Sequence, residues 1–397
     1  MLKVALVSSI RPETNYTAYL IDALQKHHSF TETLVYTDRE PENLKVGLRN
    51  VRLVWNRDWP FVFQIIAQAV KDRVNVLHFQ HEINMYGGPR TAVLFPILVL
   101  VARIFRFNPV VTFHAAVPIK SLDVNFLKVF SWPYPRLLAP LVRIVFPLIY
   151  FSSGFFAKRV IAHSQGLKEI LVRDYHIGSG KITVIPHGVP EDVSYDPLMV
   201  SPNIKKFGES KFILYFGYFH RRKGLEFLIR AFKEVSQTHP DLVLVLAGGT
   251  IIEHYLKEVE DLIVSMNLQE KVKITGFVRL PDLRFLLENS EFIVLPAVYS
   301  IAASGPLAQV FAHEKVVIVS DLGVYREEIV NNFNGLLAKA ADAEDLRDKI
   351  ITLIENPQLV KTISENVAGV KKERSWSTVA GQTIKVYLET REGRFPF

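Results

Sequence analysis

A cluster of three cations stands in the second half of the chain, within the segment Phe216-Gly217-Tyr218-Phe219-His220-Arg221-Arg222-Lys223-Gly224. The segment ends a predicted strand and opens a predicted helix, and its two glycines permit a tight backbone path. Arg221, Arg222 and Lys223 at a helix N-terminus form a site for a diphosphate, because the N–H groups of a helix start also attract anions. A basic turn that is merely solvated is the alternative.

A second segment that could hold a ligand is Tyr299-Ser300-Ile301-Ala302-Ala303-Ser304-Gly305-Pro306-Leu307-Ala308-Gln309. It follows a predicted strand and runs into a predicted helix. The small side chains of Ala303, Ser304 and Gly305 let backbone N–H groups approach a ligand closely, and the helix N-terminus adds partial positive charge. The pattern predicts a second place for phosphate or a sugar, although a simple Gly-Pro helix start is common.

Several enzyme classes lose support because their patterns do not occur in the sequence. No G-x-G-x-x-G follows the first predicted strand, and neither G-x-x-x-x-G-K-[ST] nor G-x-S-x-G is found. The number of cysteines is zero, which excludes thiolate metal sites and cysteine nucleophiles. His78, His81 and Glu82 are close in sequence, but the two histidines are expected to project to opposite sides of a strand. No metal site is therefore predicted.

These candidate sites require rigid elements to position them, and the apolar pattern predicts alternating strands and helices. Runs without polar alternation suit parallel strands that are buried on both faces. The irregular segment 191–208 predicts an interdomain linker. We therefore expect two successive doubly wound α/β domains, with ligands at the carboxyl ends of the strands. The predicted strands are Lys3–Ser9, Val74–Phe79, Val110–Phe113, Arg159–Ala162, Ile182–Ile185, Phe212–Phe216, Leu242–Ala247, Val272–Thr275, Phe292–Leu295 and Val316–Ser320.

The formal net charge is +7, and the excess of basic residues lies in the first 200 residues. Between positions 101 and 150, Asp123 is the one acid. A basic face of this kind attracts phosphate on a ligand or an acidic lipid surface. The segment Leu137–Ala157 mixes Phe, Leu and Ile with basic residues and prolines, which favours a helix lying in a membrane interface over a transmembrane span. The basic residues of this region are Arg103, Arg106, Lys120, Lys128, Arg136 and Arg143.

Nucleic acid is not expected as a partner, because the cations are diluted by apolar side chains and no recognition module is evident. The absence of cysteines, and of a recognisable targeting segment before the first strand, predicts a cytoplasmic protein. Together with the apolar basic segment, this predicts a peripheral position on the inner face of the cell membrane.

The order of short motifs along nearly the whole chain resembles that of family 4 glycosyltransferases. Each motif is weak alone, but their number and order carry the resemblance. The first half contains Leu77-His78-Phe79-Gln80-His81-Glu82, Tyr86-Gly87-Gly88, Val111-Thr112-Phe113-His114, Val160-Ile161-Ala162-His163-Ser164 and Val184-Ile185-Pro186-His187-Gly188-Val189. The second half contains the Arg-Arg-Lys-Gly turn, Leu246-Ala247-Gly248-Gly249, Ile274-Thr275-Gly276-Phe277, Lys315-Val316-Val317-Ile318-Val319-Ser320-Asp321, Glu328-Ile329-Val330, Asn334-Gly335-Leu336-Leu337 and Ser375-Trp376-Ser377.

The resemblance implies an α/β GT-B fold, with two doubly wound Rossmann-like domains that face each other across a cleft. It implies an acceptor-side domain over residues 1–195, a nucleotide-sugar-binding domain over 205–376, and a C-terminal helix within 377–397 that crosses back to the first domain. Family members transfer a sugar with retention and without a metal. The implied substrate is a nucleotide diphosphate sugar, and no cofactor is expected.

The resemblance also implies roles for single residues. His114 matches a family histidine that reaches the donor sugar, and Lys223 matches a cation that holds the donor diphosphate; both are expected to be catalytic. A fixed cation contributes most as the leaving diphosphate gains charge. The implied donor-binding residues are Gly217, Arg221, Arg222, Lys223, Gly248, Ala303, Ser304, Gly305 and Gln309.

The chain departs from the family pattern where a pair of glutamates is usual, the first near the donor sugar and the second at the ribose. Ser300 or its neighbours stand at the first position, and Gln309, whose amide can still hydrogen-bond a ribose, matches the second. The segment 11–16 also lacks the glycine-containing turn that is common there. Two functions are therefore considered: a retaining transferase acting on a lipid-linked or membrane-proximal glycan, and a non-catalytic GT-B scaffold or regulatory partner that binds nucleotide without transfer.

Overall fold

The computed structural model describes residues 2–10, 16–27, 31–39, 50–83, 85–129, 132–250, 253–300 and 304–392. The described chain forms two compact units. Unit 1 comprises the described residues up to Gly188 and those from Arg374 onward, and unit 2 comprises Val189–Ser300 and Ser304–Glu373. Two features of the sequence prediction, Ala303 and most of the segment 11–16, lie outside the described residues.

Within its described residues, unit 1 contains a sheet of seven parallel strands in the order β3-β2-β1-β4-β5-β6-β7. The chain order reverses at β1, which pairs with β2 on one side and β4 on the other. Ligands of doubly wound sheets bind at such a switch point. The strands are β1 (Leu2–Val7), β2 (Thr31–Asp38), β3 (Val51–Trp55), β4 (Val76–His81), β5 (Val110–Phe113), β6 (Arg159–Ala162) and β7 (Ile182–Val184).

The helices of the first part of the chain connect these strands. The described helices are α1 (Tyr16–Lys26), α2 (Phe61–Asp72), α3 (Pro89–Ile104), α4 (Val124–Val129), α5 (Pro135–Phe156) and α6 (Gln165–Arg173). By length and composition alone, α5 is the one helix of the described ranges that could cross a membrane, and 39% of its apolar stretch is buried inside the protein. Core helices of soluble proteins can meet the same criterion.

Unit 2 repeats the architecture with six parallel strands in the order β10-β9-β8-β11-β12-β13. The predicted fold class, two doubly wound α/β domains, is confirmed. The strands are β8 (Phe212–Phe216), β9 (Val243–Ala247), β10 (Val272–Gly276), β11 (Ile293–Leu295), β12 (Val317–Ser320) and β13 (Leu336–Ala338). The described helices are α7 (Pro202–Lys205), α8 (Leu225–Thr238), α9 (Glu253–Ser265), α10 (Leu280–Asn289), α11 (Gly305–Ala312), α12 (Gly323–Arg326), α13 (Ala343–Glu355) and α14 (Pro357–Glu373).

The segment predicted as a linker is part of unit 2 in the structure. It contains α7 and two short 3-10 helices, Pro197–Met199 and Lys206–Glu209. Val200, Ile204 and Phe207 are buried in the unit 2 core. These apolar side chains recur at the helical spacing of four and three residues, which the prolines Pro197 and Pro202 obscured in the sequence, and they bury enough surface to hold the segment on the sheet.

The last helix, α15 (Trp376–Glu392), belongs to unit 1 and packs against α1. The ring of Trp376 stacks on Tyr19 at 5.7 Å between centroids and meets Tyr16 edge-on at 4.9 Å. A Cβ atom on Gly188 would lie 2.3 Å from the indole ring. Glycine at this position therefore allows the indole to pack directly on the backbone.

The central strand β4 presents different side chains to the two faces of the unit 1 sheet. On one face, Nδ1 of His78 lies 2.7 Å from the hydroxyl of Tyr387 in α15. On the other, His81 packs against Tyr150 of α5, with ring centroids 5.2 Å apart. The two histidines thus project to opposite faces, as the alternation along a strand requires.

Candidate functional site

The basic turn of unit 2 follows β8 and forms a 3-10 turn, Arg221–Lys223, that leads into α8. Nδ1 of His220 accepts a hydrogen bond from the backbone N–H of Arg222 at 3.2 Å, which caps the turn. Gly224 has a φ of 69°, in the left-handed region. A Cβ atom there would lie 2.1 Å from the carbonyl oxygen of Pro296. Glycine is required at this point because the turn lies directly against the chain after β11.

Two further glycines bring together the carboxyl ends of β8 and β9. Gly217 has a φ of 135° and Gly248 one of 152°. The N–H of Gly217 donates to the carbonyl of Ala247 at 3.0 Å. A Cβ atom on Gly248 would lie 1.9 Å from the carbonyl oxygen of Gly217. These two predicted donor-binding residues therefore form a close backbone crossing at the carboxyl edge of the sheet.

Lys223 is a half-buried cation that no carboxylate of the described chain neutralises. Burial, and to a smaller degree the nearby charge of Arg222, lowers the pKa of Lys223 to about 8. The side chain lines a small pocket together with Tyr215, Ser304 and Tyr325. Because buried charges in proteins are normally paired, this environment favours an anionic ligand beside Lys223.

The two arginines of the turn are held by other parts of unit 2. The guanidinium of Arg221 donates to the Glu258 carboxylate of α9 at 2.6 Å and lies 5.6 Å from the ring centre of Tyr255. The main-chain carbonyl of Arg222 accepts from the N–H of Val298 at 2.9 Å. Of the three predicted cations, Lys223 lines the pocket, whereas the Arg221 charge is engaged on α9.

The small-residue loop supplies Ser304 to the same pocket as Lys223. Ser304 also caps α11, since its hydroxyl oxygen accepts from the N–H of Leu307 at 3.2 Å. Gly305 begins the helix, and no heavy atom lies within 4 Å of a Cβ atom placed there. Gln309, which was predicted to lie at a ribose, is 5% exposed. The structure thus brings Ser304 to Lys223 and keeps Gln309 on a buried side of α11.

His114 follows β5 in unit 1 and is 8% exposed. Its Nε2 atom lies 2.8 Å from Oε1 of Gln80, and its Nδ1 atom lies 3.1 Å from Nε2 of His163. Tyr16 packs edge-on against the ring at 4.8 Å. Burial, aided by the neighbouring histidines, holds the pKa of His114 well below its usual value. The imidazole is therefore neutral at physiological pH and acts as a hydrogen-bonding group without a fixed charge.

Sequence reasoning did not identify three side chains that belong to these environments. Tyr215 lies within β8, where a residue of a buried strand gives no signal of a ligand site, but its hydroxyl donates to the carbonyl of Tyr218 at 3.0 Å and its side chain lines the Lys223 pocket. Tyr325 lies in α12, just after β12. Its position after a strand could have indicated a ligand-binding residue, because ligands bind at the carboxyl ends of the strands. His163 stands at the end of β6, where the same signal applied.

The described ranges contain His, Asp and Glu side chains that could each ligate a metal ion. No set of three or more His, Cys, Asp or Glu side chains there is arranged to hold a metal ion.

Comparison with known proteins gives two family matches that follow each other along the chain. The family Glycosyltransferase Family 4 matches residues 14–193, and the family Glycosyl transferases group 1 matches residues 200–369. An uncharacterized glycosyltransferase from Methanocaldococcus jannaschii is 26% identical over 244 residues, which are 60% of this chain and 61% of that protein. The matched part spans 53% to 61% of the lengths of three such relatives.

A further relative matches over a shorter range. The N,N'-diacetylbacillosaminyl-diphospho-undecaprenol α-1,3-N-acetylgalactosaminyltransferase of Campylobacter jejuni is 31% identical over 106 residues, 27% of this chain and 28% of that protein. Among solved structures, Anabaena HepE in complex with UDP superimposes with a TM-score of 0.76 at 18% identity, covering 98% of this chain and 100% of that chain. This likeness confirms the predicted GT-B fold class.

The family matches thus cover both units, and each unit has the doubly wound sheet that the resemblance implied. The motif order read from the sequence and the two independent matches agree. The chain belongs to glycosyltransferase family 4.

Proposed function

We propose that the chain is a retaining glycosyltransferase that takes a sugar from a nucleotide diphosphate sugar and adds it to a lipid-linked or membrane-proximal glycan. The observation that carries the proposal is Lys223, a half-buried ammonium beside Ser304 with no carboxylate partner among the described residues. The diphosphate gains negative charge as its bond to the sugar breaks, and a fixed cation stabilises that charge. The UDP bound to HepE supports a nucleoside diphosphate as the ligand class.

The chemistry assigned to the two units differs. In unit 2, Lys223 and the backbone N–H groups around Ser304 and Gly305 bind the diphosphate, and this positive environment supports a reaction that needs no metal ion. In unit 1, the neutral ring of His114 is assigned to the reacting sugar. Both of its nitrogen atoms lie within hydrogen-bond distance of protein groups, Gln80 and His163, so a sugar hydroxyl must replace one of these contacts when the donor binds.

The lipid-linked acceptor is proposed from the surface of unit 1. Helix α5 exposes apolar side chains, among them Leu137, Ile144 and Leu148, and carries Arg136 and Arg143 on exposed positions. Helices of this composition bind in the interface of anionic membranes. The Campylobacter relative is by its name a transferase for a diphospho-undecaprenol-linked sugar. We therefore assign the protein to the cytoplasmic face of the cell membrane as a peripheral protein.

A non-catalytic scaffold that binds nucleotide is the second candidate function. Its supporting observation is that the stretch from Ser300 to His313, where the family usually has two glutamates, contains no carboxylate. Gln309 can bind hydroxyls through its amide but cannot carry negative charge. Tight nucleotide binding with neither transfer nor donor hydrolysis would favour this function.

The deciding experiment incubates the purified protein with a panel of labelled nucleotide sugars and a membrane lipid extract, and follows the label into the organic phase. We expect label from one donor, lost in Lys223→Ala and retained in Arg230→Ala, an exposed cation of the same helix α8. Transfer that survives in Lys223→Ala would overturn the site assignment. If no donor is used while a nucleoside diphosphate still raises the melting temperature, the scaffold function is supported instead.

A further inference from the structure

An apolar pocket of about 510 Å³ lies between α3 and α5 in unit 1. Its walls consist of Ile, Leu, Val, Ala, Pro and Phe side chains and the indole of Trp132, whose N–H is the one side-chain hydrogen-bond donor among the lining residues. The volume falls in the range of roughly 300–1,000 Å³ that is typical of small-molecule sites. A pocket with this lining offers almost no hydrogen bonds and therefore selects a hydrocarbon.

One end of the pocket lies at the carboxyl edge of the unit 1 sheet. Ile83, which comes just after β4, and Pro89, the first residue of α3, both line it. Ligands of doubly wound sheets bind outside the carboxyl ends of their strands. A hydrocarbon chain in this pocket would therefore have its head group near the edge where this sheet binds ligands.

The pocket is continuous with an exposed apolar stripe along α5. Leu141 belongs to both, since it lines the pocket and is 55% exposed. The stripe recurs at the helical spacing of three and four residues, so it forms one surface. Contiguous exposed apolar surface of this kind marks a site for lipid or for a partner. The stripe consists of Leu137, Leu141, Ile144, Leu148, Phe151 and Phe155.

Three cations beside the pocket distinguish an anionic lipid from a neutral partner. Arg90 follows Pro89 and Arg143 follows Val142, both lining residues, and Arg136 lies in the first turn of α5. All three are exposed, and none forms an ion pair with another described residue. An apolar pocket flanked by free guanidinium groups complements a hydrocarbon chain that ends in phosphate or diphosphate.

We propose that this pocket binds the hydrocarbon chain of the lipid phosphate or diphosphate that carries the acceptor glycan. The inference rests on the proposed function for the identity of the lipid, whereas chain binding itself requires no catalysis. The stripe of α5 lies against the bilayer, so that the chain passes from the membrane into the pocket over apolar surface. The guanidinium groups of Arg90 and Arg143 bind the charged head.

Trp132 provides a direct readout of occupancy. A dodecyl phosphate with a nitroxide at its methyl end, kept below its micelle-forming concentration, should quench Trp132 fluorescence, and Trp132→Phe should remove that quenching. Inorganic phosphate should have no effect. Val145→Phe, which fills the pocket, should weaken binding about tenfold or more, because it excludes a few methylenes. Val264→Phe, the same change at an exposed position of unit 2, should leave binding unchanged.

Two results would overturn the proposal: quenching that persists in Trp132→Phe, or equal affinity in Val145→Phe and the unaltered chain. Ala92→Leu fills the pocket from α3 and guards against a folding defect at Val145, with the melting temperature as the check on folding. Quenching without any sugar transfer would support lipid binding in the pocket and contradict the transferase function. Transfer to a lipid acceptor with an unchanged KM in both Val145→Phe and Ala92→Leu would support the transferase function and contradict the lipid pocket.

Discussion

The Nδ1 atom of His114 lies 3.1 Å from the Nε2 atom of His163. Nδ1 of His163 lies 3.0 Å from the carbonyl oxygen of Ile185, so it carries the proton and donates it. In a neutral ring this leaves Nε2 of His163 as an acceptor, to which the Nδ1–H of His114 can donate. Nε2 of His114 lies 2.8 Å from Oε1 of Gln80, which is also an acceptor. A neutral His114 has one ring proton, so it can donate to His163 or to Gln80 but not to both.

The buried histidines of unit 1 predict a loss of stability in acid. Burial lowers the pKa of His163 to about 3 and the pKa of His187 to about 4. Below about pH 6.5 the unfolded chain binds protons that these folded side chains do not. The free energy of unfolding should therefore decrease toward acid by up to about 1.4 kcal/mol per pH unit for each such histidine, until the folded pKa is reached. Thermal unfolding between pH 7 and pH 5 measures this decrease in the free energy of unfolding.

The matched controls for acid stability are two glutamine variants. His187→Gln should reduce the slope of stability against pH, because it removes one buried titrating group. His254→Gln, at an exposed position, should not change the slope. A melting temperature that stays constant from pH 7 to pH 5 would contradict the buried neutral state of the cluster.

Removal of single cations from the basic turn should have unequal effects. Lys223→Ala should lower kcat/KM about 100-fold or more, because the pocket loses its unneutralised charge next to the leaving diphosphate. Arg221→Ala should lower it only a few-fold, since that guanidinium pairs with Glu258 in an exposed ion pair. Initial rates of sugar transfer at subsaturating donor check both. Equal losses in the two variants would refute the distinction drawn between them.

The lowered pKa of Lys223 predicts that nucleotide affinity depends on pH. Below about pH 8 the ammonium is charged and attracts the diphosphate, and above it the neutral amine does not. UDP affinity should therefore fall as the pH rises from 7 to 9, with the steepest change near or above 8, because a bound anion raises the pKa again. Titration calorimetry gives the profile. Lys223→Arg keeps its charge over this range and should bind UDP with little pH dependence.

Two glycines offer a matched test of the backbone crossing. Gly248→Ala should destabilise unit 2 by about 2 kcal/mol or more, because the new Cβ atom would lie 1.9 Å from the Gly217 carbonyl oxygen and the φ of 152° is strained for alanine. Gly305→Ala should be tolerated, since no heavy atom lies within 4 Å of the added carbon. Urea denaturation compares them, and equal stabilities would refute the crossing.

The exposed stripe of α5 predicts binding to anionic vesicles. The unaltered protein should float with acidic liposomes at low salt, and added salt should weaken the binding because part of it is electrostatic. The double variant Leu141→Glu with Leu148→Glu should stay in the bottom fraction. Val264→Glu, which places the same charge at an exposed apolar position of unit 2, should float normally. Flotation of the double variant at the level of the unaltered chain would contradict a role of the stripe.

The sequence was sufficient to predict the bounds of a strand where that strand is one continuous apolar run. β5, β6 and β8 have the predicted bounds. β2 and β3 were missed, because Glu32 and Arg52 interrupt their apolar runs and β3 is an edge strand with partly exposed residues. A continuous apolar run indicates a strand that is buried on both faces. An edge strand can have one buried face only, so its sequence need not show such a run.

The residues of the candidate site that are neighbours in the sequence could be predicted. The glycines and cations between Gly217 and Gly224 stand together in the sequence and in unit 2. The meeting of Lys223 with Tyr325 depends on the spatial order β8-β11-β12, which places residues distant in sequence at one edge of the sheet. No short window of sequence contains that information, so Tyr325 could not be assigned to the pocket in advance.

Trp376 completes unit 1 from the far end of the chain, where it packs on Gly188, Tyr16 and Tyr19. Unit 2 lies in sequence between the two main parts of unit 1 and has all of its residues once the ribosome has added Glu373. Domains generally fold during synthesis as their residues emerge, the N-terminal one first. In this chain, unit 1 begins first but lacks part of its residues until all of unit 2 has been synthesised, and its two tyrosines stay without their indole partner until Trp376 has been added.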